Sequence, residues 1–299
     1  MNNEELSVEA RSGGKSYNNT TMKLGAHQSI SEGYDKALDR VNNIGGNCLQ
    51  IFSASPRGWN FAKVNNDQIS KFIESKRKLN INPVYFHASY LVNLADSGRI
   101  GQLSIQSLIA EMSIAPKLNI KGSIIHLGSF KNQKSKIKDQ KLIQNIKEVL
   151  KKTPDNSLFI IENAGNRKIG QTLEEISQIV KDVNNPRIRL CLDTCHLFSS
   201  GYKFNNDKEL DLLLNKLEKL NLLDILELWH VNDSRDSFNS GHDRHANIGQ
   251  GMIGVDEFKI LLNHPKIKNH PFIIETPGFN NEGPDKKNLD ILKSFISSK

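Results

Sequence analysis

One segment in the last third of the chain combines residue types that bind metal ions. Residues 224–251 open with a nearly continuous apolar run around Trp229, which is typical of a fully buried strand. That run ends at His230, and the loop that follows carries Asp243 and His245. Imidazole and carboxylate groups at the end of a strand in a parallel sheet indicate metal chemistry. A histidine at the edge of the core beside a solvated loop is the alternative, and this segment alone leaves both open.

Polar residues close six further predicted strands in the same way. The seven strand-closing residues are His27, His87, His126, Glu162, Asp193, His230 and Glu275. The second predicted strand, which ends at Phe52 and Ser53, is the exception. Charged groups after apolar runs such as FIIE are costly to bury unless they are paired or coordinated. One such residue would indicate an ordinary satisfied polar group, but seven at the same register predict a site for several metal ions.

Two short motifs add ligands to this set. The sequence DTCH places His196 just past Asp193, and the sequence DRH pairs Asp243 with His245. The candidate ligands are His87, His126, Glu162, Asp193, His196, His230, Asp243, His245 and Glu275. With three or four protein ligands per ion and one bridging carboxylate, this set accommodates about three ions. Its many imidazoles favour zinc, with manganese and iron as alternatives, whereas magnesium prefers oxygen ligands.

Clustered divalent ions suit the hydrolysis of phosphate esters. Ions about 3.5–4 Å apart support in-line displacement at phosphorus and lower the pKa of a bridging water from about 15.7 toward about 7. A further ion can neutralise the phosphate oxygens and the departing alkoxide. No Ser–His–Asp or Cys–His arrangement competes with this interpretation, since Cys195 and His196 are only neighbours in sequence.

A regular alternation of strands and helices must position these residues. From Met22 onward, eight short apolar runs alternate with eight amphipathic runs, which indicates a parallel sheet. Eight such units in about 250 residues or slightly more predict an α/β fold of the (β/α)8 TIM-barrel type, in a single domain over residues 22–299. In that fold the carboxyl ends of all the strands meet at one mouth. An open doubly wound sheet is the alternative, but no glycine-rich dinucleotide-binding motif follows the first strand.

The composition narrows the class of protein. Residues 1–21 lack apolar periodicity and resemble neither a signal peptide nor a transit peptide, so we predict a disordered N-terminal leader. Only 37% of the residues are hydrophobic and no apolar run reaches about 18 residues, so nothing is predicted to span a membrane. The three cysteines are an odd and sparse set that fits a reducing compartment. Cys191 and Cys195 are predicted to be buried hydrophobic residues, with metal ligation as the minority alternative.

The net charge bears on the partner. The chain carries +7, of which residues 1–21 contribute −1, so the remainder carries +8. A basic fold is compatible with a polyanion but does not identify one. The lysine-rich run over residues 131–152 is most simply a solvated helix face, with nucleic-acid contact as the alternative.

Nine short segments together resemble endonuclease IV, the family of metal-dependent apurinic/apyrimidinic endonucleases. They are GAHQSI, SPRGWN, HASYLVNLA, HLGS, IIENAG, LDTCHLFSSGY, HVNDS, DRHANIGQGMIG and IIETPG. The resemblance runs from Met22 to the C-terminus, and it is specific because DTCH, HVNDS and DRHxxxGxG recur in order at barrel spacing. It implies a TIM barrel with a trinuclear zinc site that cleaves double-stranded DNA 5′ to an abasic site, leaving a 3′-hydroxyl and a 5′-deoxyribose phosphate. It also implies trimming of blocked 3′ ends.

The resemblance assigns metal-binding roles to individual residues. One zinc ion would be held by His87, His126 and Glu162. Glu162 would bridge to a second ion, which is completed by Asp193, His230 and Glu275. The third ion would be held by His196, Asp243 and His245. Glu162 and Glu275 are implied to be catalytic, and manganese could replace part of the zinc.

It also assigns residues to the DNA. Arg57, Tyr90 and Leu91 match positions that the family inserts into the duplex where the abasic sugar swings out. A guanidinium, an aromatic ring and an apolar wedge can each replace lost base stacking. Tyr90 and Leu91 as ordinary core residues are the alternative. The implied protein is a monomer in the cytoplasm in contact with DNA, or in the nucleus or an organelle if the source is eukaryotic.

Departures from the family pattern are few. Ala88 follows His87 where some members have Asp, and the loop over residues 164–170 lacks the glutamine-glycine run of many members. His27 is expected to support the site without binding metal, and no chemical role is expected for His242, His264 and His270. A sugar isomerase or epimerase on the same barrel is one alternative, although such sites have fewer imidazoles. A non-catalytic binder of damaged DNA is the other, although it would have lost ligands and none is visibly lost.

Overall fold

The computed structural model describes residues 22–130, 136–165 and 168–296. The described strands are β1 (Leu24–His27), β2 (Cys48–Phe52), β3 (Val84–His87), β4 (Gly122–Ile125), β5 (Leu158–Glu162), β6 (Ile188–Asp193), β7 (Leu226–His230), β8 (Asp233–Ser234), β9 (His245–Ala246) and β10 (Phe272–Ile274). All but β8 and β9 pair in parallel, and β10 pairs with both β7 and β1 to close a barrel. The predicted TIM barrel is therefore confirmed, and the open sheet is wrong. The predicted leader, residues 1–21, lies outside the described residues.

Helices follow the barrel strands and cover the outside of the sheet. The described helices are α1 (Tyr34–Asn43), α2 (Asn66–Lys78), α3 (Arg99–Ile114), α4 (Lys136–Lys151), α5 (Leu173–Val183), α6 (Thr194–Ser199), α7 (Asp207–Lys219), α8 (Val255–Asn263) and α9 (Lys286–Phe295). The short helix α6 and the antiparallel pair of β8 and β9 lie outside the predicted alternation. Part of the lysine-rich run forms α4, and its first residues, 131–135, lie outside the described residues.

Two apolar layers hold the barrel together. The large layer fills the space between the sheet and the helices, with Phe72, Trp229 and Phe258 among its fully buried members. The small layer fills the interior of the barrel and consists of Cys48, Tyr85, Ile124, Ile160, Cys191, Leu228 and Ile273. The barrel is thus a packed core, so a ligand can enter only above this interior layer.

Two predictions from composition can be compared with the fold. All three cysteines are buried, and none forms a disulfide, as predicted. No helix in the described part of the chain has the length and apolar character needed to cross a membrane.

Candidate metal centre

The candidate ligands lie one layer above the interior core because side chains alternate along each strand. The interior residues Ile160 and Leu228 are followed two positions later by Glu162 and His230. The same spacing relates the interior residues of other strands to His87, His126, Asp193 and Glu275. Side chains two positions apart on a strand point to the same face. Each of these strands therefore delivers a ligand over the barrel axis at its carboxyl end.

Glu162 joins two groups of ligands at the centre of this layer. It ends β5 and is fully buried. Its Oε2 atom lies 3.1 Å from Nε2 of His87 and 3.2 Å from Nε2 of His126. Its Oε1 atom lies 3.0 Å from Nδ1 of His230. Each carboxylate oxygen thus faces a different group, which is the arrangement that a bridging carboxylate requires.

His230 lies at the middle of the second group, which it forms with Glu162, Asp193 and Glu275. Its Nδ1 atom lies 3.3 Å from Oε2 of Glu275 and 3.9 Å from Oδ2 of Asp193. One ligand atom from each of these four residues lies within 4.8 Å of the others. Three carboxylates cannot share so small a buried volume without positive charge beside them. The group therefore fits a divalent cation.

Two short elements build the third group beside the second. Asp193 caps α6, because its Oδ1 atom accepts a hydrogen bond from the backbone N–H of His196 at 3.0 Å, and this turn holds His196 in the mouth. Strand β9 supplies His245, which pairs with Ser234 of β8. Oδ1 of Asp243 lies 2.9 Å from Nε2 of His196 and 3.5 Å from Nε2 of His245. Nε2 of His245 is also 3.6 Å from Oδ2 of Asp193, so the second and third groups are neighbours.

The ring orientations test whether these residues fit metal ions. Five histidines are candidate ligands, and in four of them one ring nitrogen lies within 3.4 Å of an oxygen atom that is not itself a candidate ligand atom. These oxygens are the backbone oxygens of Ala88 for His87, Asn163 for His196 and Glu275 for His245, and Oε1 of Gln50 for His230. The other nitrogen then faces the carboxylates, as in metal-ligating histidines. Nε2 of His196 and Nε2 of His245 are buried and face carboxylate oxygens of the site without a hydrogen bond of normal geometry among the described residues, so the site fits ions.

The charges in the site compensate one another. Burial opposes ionisation of Glu162, but His126 and His230 outweigh it and hold the pKa of this carboxyl well below its ordinary value. Burial also lowers the pKa of His196, yet nearby carboxylates, of which Asp193 acts most strongly, raise it to about 10. An ion that binds beside His196 must displace a proton from the ring, so its affinity should fall in acid.

An open cavity of about 440 Å³ lies above the three groups and is lined by His87, His126, His196, Asp243, His245 and Glu275, among others. This metal cavity gives a ligand access to every group at once. Its size suits a sugar-phosphate unit better than a folded macromolecule, so a polymer can enter it only by inserting one unit.

Comparison with known proteins agrees with this geometry. The profile of the family described as xylose isomerase-like TIM barrel matches residues 38–295. A probable endonuclease 4 from Sulfurihydrogenibium sp. is 34% identical over 280 residues, which cover 92% of this chain and 99% of that protein. A probable endonuclease 4 from Halothermothrix orenii is 35% identical over 276 residues, with 91% and 99% covered. The crystal structure of endonuclease IV from Thermus thermophilus superposes with a TM-score of 0.80 at 28% identity and covers 91% of this chain and 98% of that one.

The chain belongs to the endonuclease IV family. Family membership makes it an endonuclease, and the resemblance and enzyme class predicted from sequence are confirmed. Solved sugar epimerases share the endonuclease IV barrel: a D-tagatose 3-epimerase-like protein superposes with a TM-score of 0.68 at 18% identity. That likeness concerns the fold alone, and the family model's name reflects the same shared barrel.

The residues that the endonuclease IV resemblance assigned to DNA lie on the loops after β2 and β3. Tyr90 is 67% exposed, Leu91 is 37% exposed, and Arg57 is exposed as well. Tyr90 and Leu91 are therefore not core residues, so that alternative is wrong. Oγ of Ser89 donates a hydrogen bond to the backbone oxygen of Pro56 at 2.8 Å, which ties the two loops together. Contact with DNA stays a prediction for all three residues.

Three amide side chains support the site and were not predicted from the sequence. Gln50 of β2 is fully buried, accepts a hydrogen bond from Nε2 of His230 at 2.6 Å through its Oε1 atom, and donates from its Nε2 atom to Glu275. Oδ1 of Asn163 accepts from the backbone N–H of Asp193 at 2.7 Å. Nδ2 of Asn232 donates to Oδ2 of that aspartate at 2.6 Å. The second strand ends at Phe52 without a candidate ligand, as predicted, and contributes Gln50 to the support of the site.

Among the described residues, His27 and His242 belong to none of the candidate ligand groups, whereas Cys195 lies close to two of them. Nδ1 of His27 lies 3.6 Å from Oε1 of Glu275, and His27 lines the metal cavity. His242 is exposed and lies 3.3 Å from Asp236. Sγ of Cys195 comes within 4.8 Å of ligand atoms of the second and third groups. Burial raises the pKa of this thiol, which disfavours the thiolate form that binds metal ions.

Proposed function

We propose that the protein hydrolyses the DNA phosphodiester bond 5′ to an abasic site with the help of three zinc ions, and so acts in DNA repair. The observation that carries this proposal is Glu162, whose two oxygens face separate ligand groups while a third group lies beside them. Cleavage of a phosphodiester requires positive charge beside both the attacking and the departing oxygen, to offset the negative charge that develops there. Three adjacent cation sites over one cavity meet that requirement.

The side chains divide the work of the reaction between them. When bound, zinc ions neutralise phosphate charge and lower the pKa of water. The buried Glu162 would bind ions of both the first and the second ligand group and so fix their separation. Glu275 lines the cavity. Burial raises the pKa of Glu275, but His230 and His27 outweigh it and keep the pKa well below its ordinary value. Glu275 is therefore ionised at neutral pH, so it can bind a cation and orient the attacking water by accepting a hydrogen bond.

The exposed residues beside the cavity would open the substrate. The abasic sugar must leave the helix to reach the ligand layer, because the ligands lie at the floor of a cavity. Tyr90 and Leu91 would fill the space that the sugar leaves, and Arg57 would replace lost stacking from the other loop. The hydrogen bond between Ser89 and Pro56 would keep the two loops at a fixed separation during insertion.

The finer properties of the enzyme follow from the same residues. Zinc is proposed over magnesium because His87, His126, His196, His230 and His245 supply nitrogen ligands, and manganese could occupy part of the site. A monomer is proposed because one chain supplies every ligand. Trimming of blocked 3′ ends is proposed because it breaks the same kind of bond. A cytoplasmic location in contact with DNA follows from the substrate.

Incision of a defined duplex tests the proposal. The zinc-replete protein is incubated with a double-stranded oligonucleotide that carries one tetrahydrofuran site, with the undamaged duplex as control. We expect one cut 5′ to the site and a 3′ end that a polymerase can extend. Absence of incision would reject the proposal. A second duplex with a 3′-phosphoglycolate end tests the trimming activity separately.

Metal analysis of the same preparation distinguishes the enzyme from a sugar isomerase or epimerase. About three zinc ions per chain support the endonuclease centre, whereas one ion would favour the sugar-converting class. Conversion of a ketose to its epimer by the purified protein would support that second class directly.

A further inference from the structure

A second cavity lies beside the metal cavity, and the two share a wall. This cavity, here called the flank cavity, measures about 370 Å³. The shared wall consists of His87, Tyr90 and His126, which line both cavities. The other sides of the flank cavity are residues 88–93 after β3, Gly128 and Ser129 after β4, and Lys168 after β5, together with Ile100.

Hydrogen bonds hold the walls of the flank cavity in place without a ligand. Nδ2 of Asn93 donates to the backbone oxygen of Ser129 at 3.1 Å, and its Oδ1 atom accepts from the N–H groups of Ser129 and Ala95 at 3.3 and 3.1 Å. Gly128 has a φ of 101°, and a Cβ atom there would lie 2.3 Å from Oδ1 of Asn93. The close approach that glycine allows lets the two loops form one preformed wall.

Lys168 brings positive charge to this cavity. The next residue, Ile169, is buried and donates from its backbone N–H to the oxygen of Gly128 at 3.0 Å, which anchors the backbone beside the lysine. The Lys168 side chain is half-buried, and within the described ranges no ion pair is found for it. None of the described residues that line the flank cavity is acidic, whereas Asp243 and Glu275 line the metal cavity. A cavity with a lysine and no carboxylate favours an anion.

We propose that the flank cavity binds the DNA phosphate next to the scissile one, with Nζ of Lys168 as its cationic donor. The inference rests on the proposed function, in which the abasic sugar-phosphate occupies the metal cavity. The neighbouring phosphate of the same strand then passes the shared wall at Tyr90, which lies on the rim between the two cavities. Lys168 is thus a positioning residue: it fixes the register of the strand over the metal ligands and takes no part in bond breaking.

Charge removal with a matched control tests the proposal on the full-length, zinc-loaded protein. The variants are Lys168→Gln, Lys168→Arg and the control Lys268→Gln, a half-buried lysine that precedes β10 and so lies at the opposite end of the barrel. Binding of the tetrahydrofuran duplex is measured between low and high salt, together with KM, kcat and zinc content. Removal of one phosphate contact should reduce the slope of log K against log salt by about 0.9 and weaken binding about eightfold at about 0.1 M salt.

We expect the weaker DNA binding of Lys168→Gln to raise KM, while kcat and the zinc content stay unchanged. Lys168→Arg and Lys268→Gln should keep the wild-type salt slope. A second measurement replaces, one at a time, the phosphates on either side of the scissile one by an uncharged methylphosphonate. At the phosphate that Lys168 contacts, the loss of binding affinity caused by Lys168→Gln and the loss caused by the neutral linkage should not be additive.

Each result has one meaning for the inference. A wild-type salt slope in Lys168→Gln, or full additivity at both neighbouring phosphates, overturns the role of the flank cavity while leaving incision by the wild type intact. Should the wild type bind the duplex without incising it, the proposed reaction fails, and the difference in salt slope still decides the role of Lys168. Absence of DNA binding by the wild type overturns both.

Discussion

Glu162 connects two buried ligand groups through its separate oxygen atoms, so its charge matters more than its size. Glu162→Gln keeps the shape of the side chain and removes the charge. We expect incision of abasic DNA to fall to background. DNA affinity should change by less than about threefold, because phosphate contacts supply most of it. An incision assay and fluorescence anisotropy on one preparation measure the two effects.

The same chemical change on the outer surface provides the control. Glu74 is exposed on α2, one of the helices that cover the outside of the barrel, and Glu74→Gln should cut at the wild-type rate. Normal cutting by Glu162→Gln would show that Glu162 does not bridge the ion sites.

Gln50 supports the second ligand group from behind, since it contacts both His230 and Glu275. Gln50→Met keeps the length of the side chain and removes both contacts. Loss of such a supporting residue typically costs about 10- to 100-fold in metal affinity or activity. We expect a loss of this size in incision at limiting zinc, partly recovered at high zinc. Gln106→Met, at an exposed position of α3, serves as the control. An unchanged zinc titration would contradict the supporting role.

At the scale of single residues, the candidate ligands were easier to find in the sequence than the residues that support them. A charged residue after an apolar run is visible without any structure, as at Glu162 and Glu275. Gln50 was missed because it is uncharged and lies inside the strand, two residues before the strand ends. The pairing of β1 with β2 places His27 opposite Gln50, and closure of the barrel brings His230 and Glu275 to its amide group. Registers between strands cannot be read from one sequence, because they depend on the packing of the whole barrel.

At the scale of elements, one hydrogen bond joins the loops after β2 and β3. Ser89→Ala removes the bond from Oγ of Ser89 to Pro56 and leaves the metal ligands in place. A hydrogen bond of this kind is worth about 1 kcal/mol, so we expect binding of abasic DNA to weaken about fivefold with unchanged zinc content. Ser177→Ala removes a similar side-chain bond, to the oxygen of Leu220, away from the mouth and should bind DNA normally. Equal affinities for the two variants would contradict a role for this link.

Helix α3 is tied to the sheet by a buried carboxyl group. Glu111 accepts hydrogen bonds from the hydroxyls of Ser53 after β2 and Ser123 in β4. Burial raises the pKa of Glu111 from 4.5 to about 7, against the opposing effect of these hydroxyls. The protonated form is therefore favoured by folding. Its contribution to stability is complete below about pH 4.5 and is lost as the pH rises through about 7.

Glu111→Gln isolates this contribution. The free energy of unfolding of the wild type minus that of the variant should fall by about 3 kcal/mol between pH 4.5 and pH 8. Urea denaturation of both proteins measures the difference. Both are stripped of metal beforehand, because loss of ions at low pH would itself change the free energy of unfolding. A difference that stays constant with pH would contradict the raised pKa.

Short elements explain the part of the site geometry that the sequence did not reveal. The helix α6 has six residues, and β8 and β9 have two residues each, so none is long enough to show a period of its own. These elements are nevertheless what place His196 and His245 together. The sequence indicated that both histidines are ligands, but the third group forms only through the cap at Asp193 and the pairing of β8 with β9.

At the scale of the molecule, the barrel could be predicted because it repeats one strand–helix unit along the chain. Eight alternations of strand and helix leave few topologies, and the parallel pairing of β10 with β1 closes the one that was predicted. Closure brings residues from distant parts of the chain to one rim, such as His87 and His230, whose rings lie 6.2 Å apart. The ligand layer is therefore a property of the closed barrel and of no single segment.

This dependence predicts that ions stabilise the fold as a whole. The candidate ligands come from β3, β5, β6, β7, β9, α6 and neighbouring loops, so bound ions would hold many elements together and bind poorly to the unfolded chain. One ion at a hundredfold over its Kd stabilises by about 2.7 kcal/mol, and each kcal/mol shifts the melting temperature of a domain this large by about 2–4 °C. Prolonged chelation should therefore lower the melting temperature by at least about 5 °C and abolish incision. Zinc should restore both, and magnesium neither, because the ligand set is rich in imidazole.

Glu162→Gln lacks the bridging charge, so its melting temperature should fall less on chelation than that of the wild type. If the wild type melted at one temperature with and without chelator, the rim would be held by its own ion pairs between imidazole and carboxylate, and the ions would have no part in the fold.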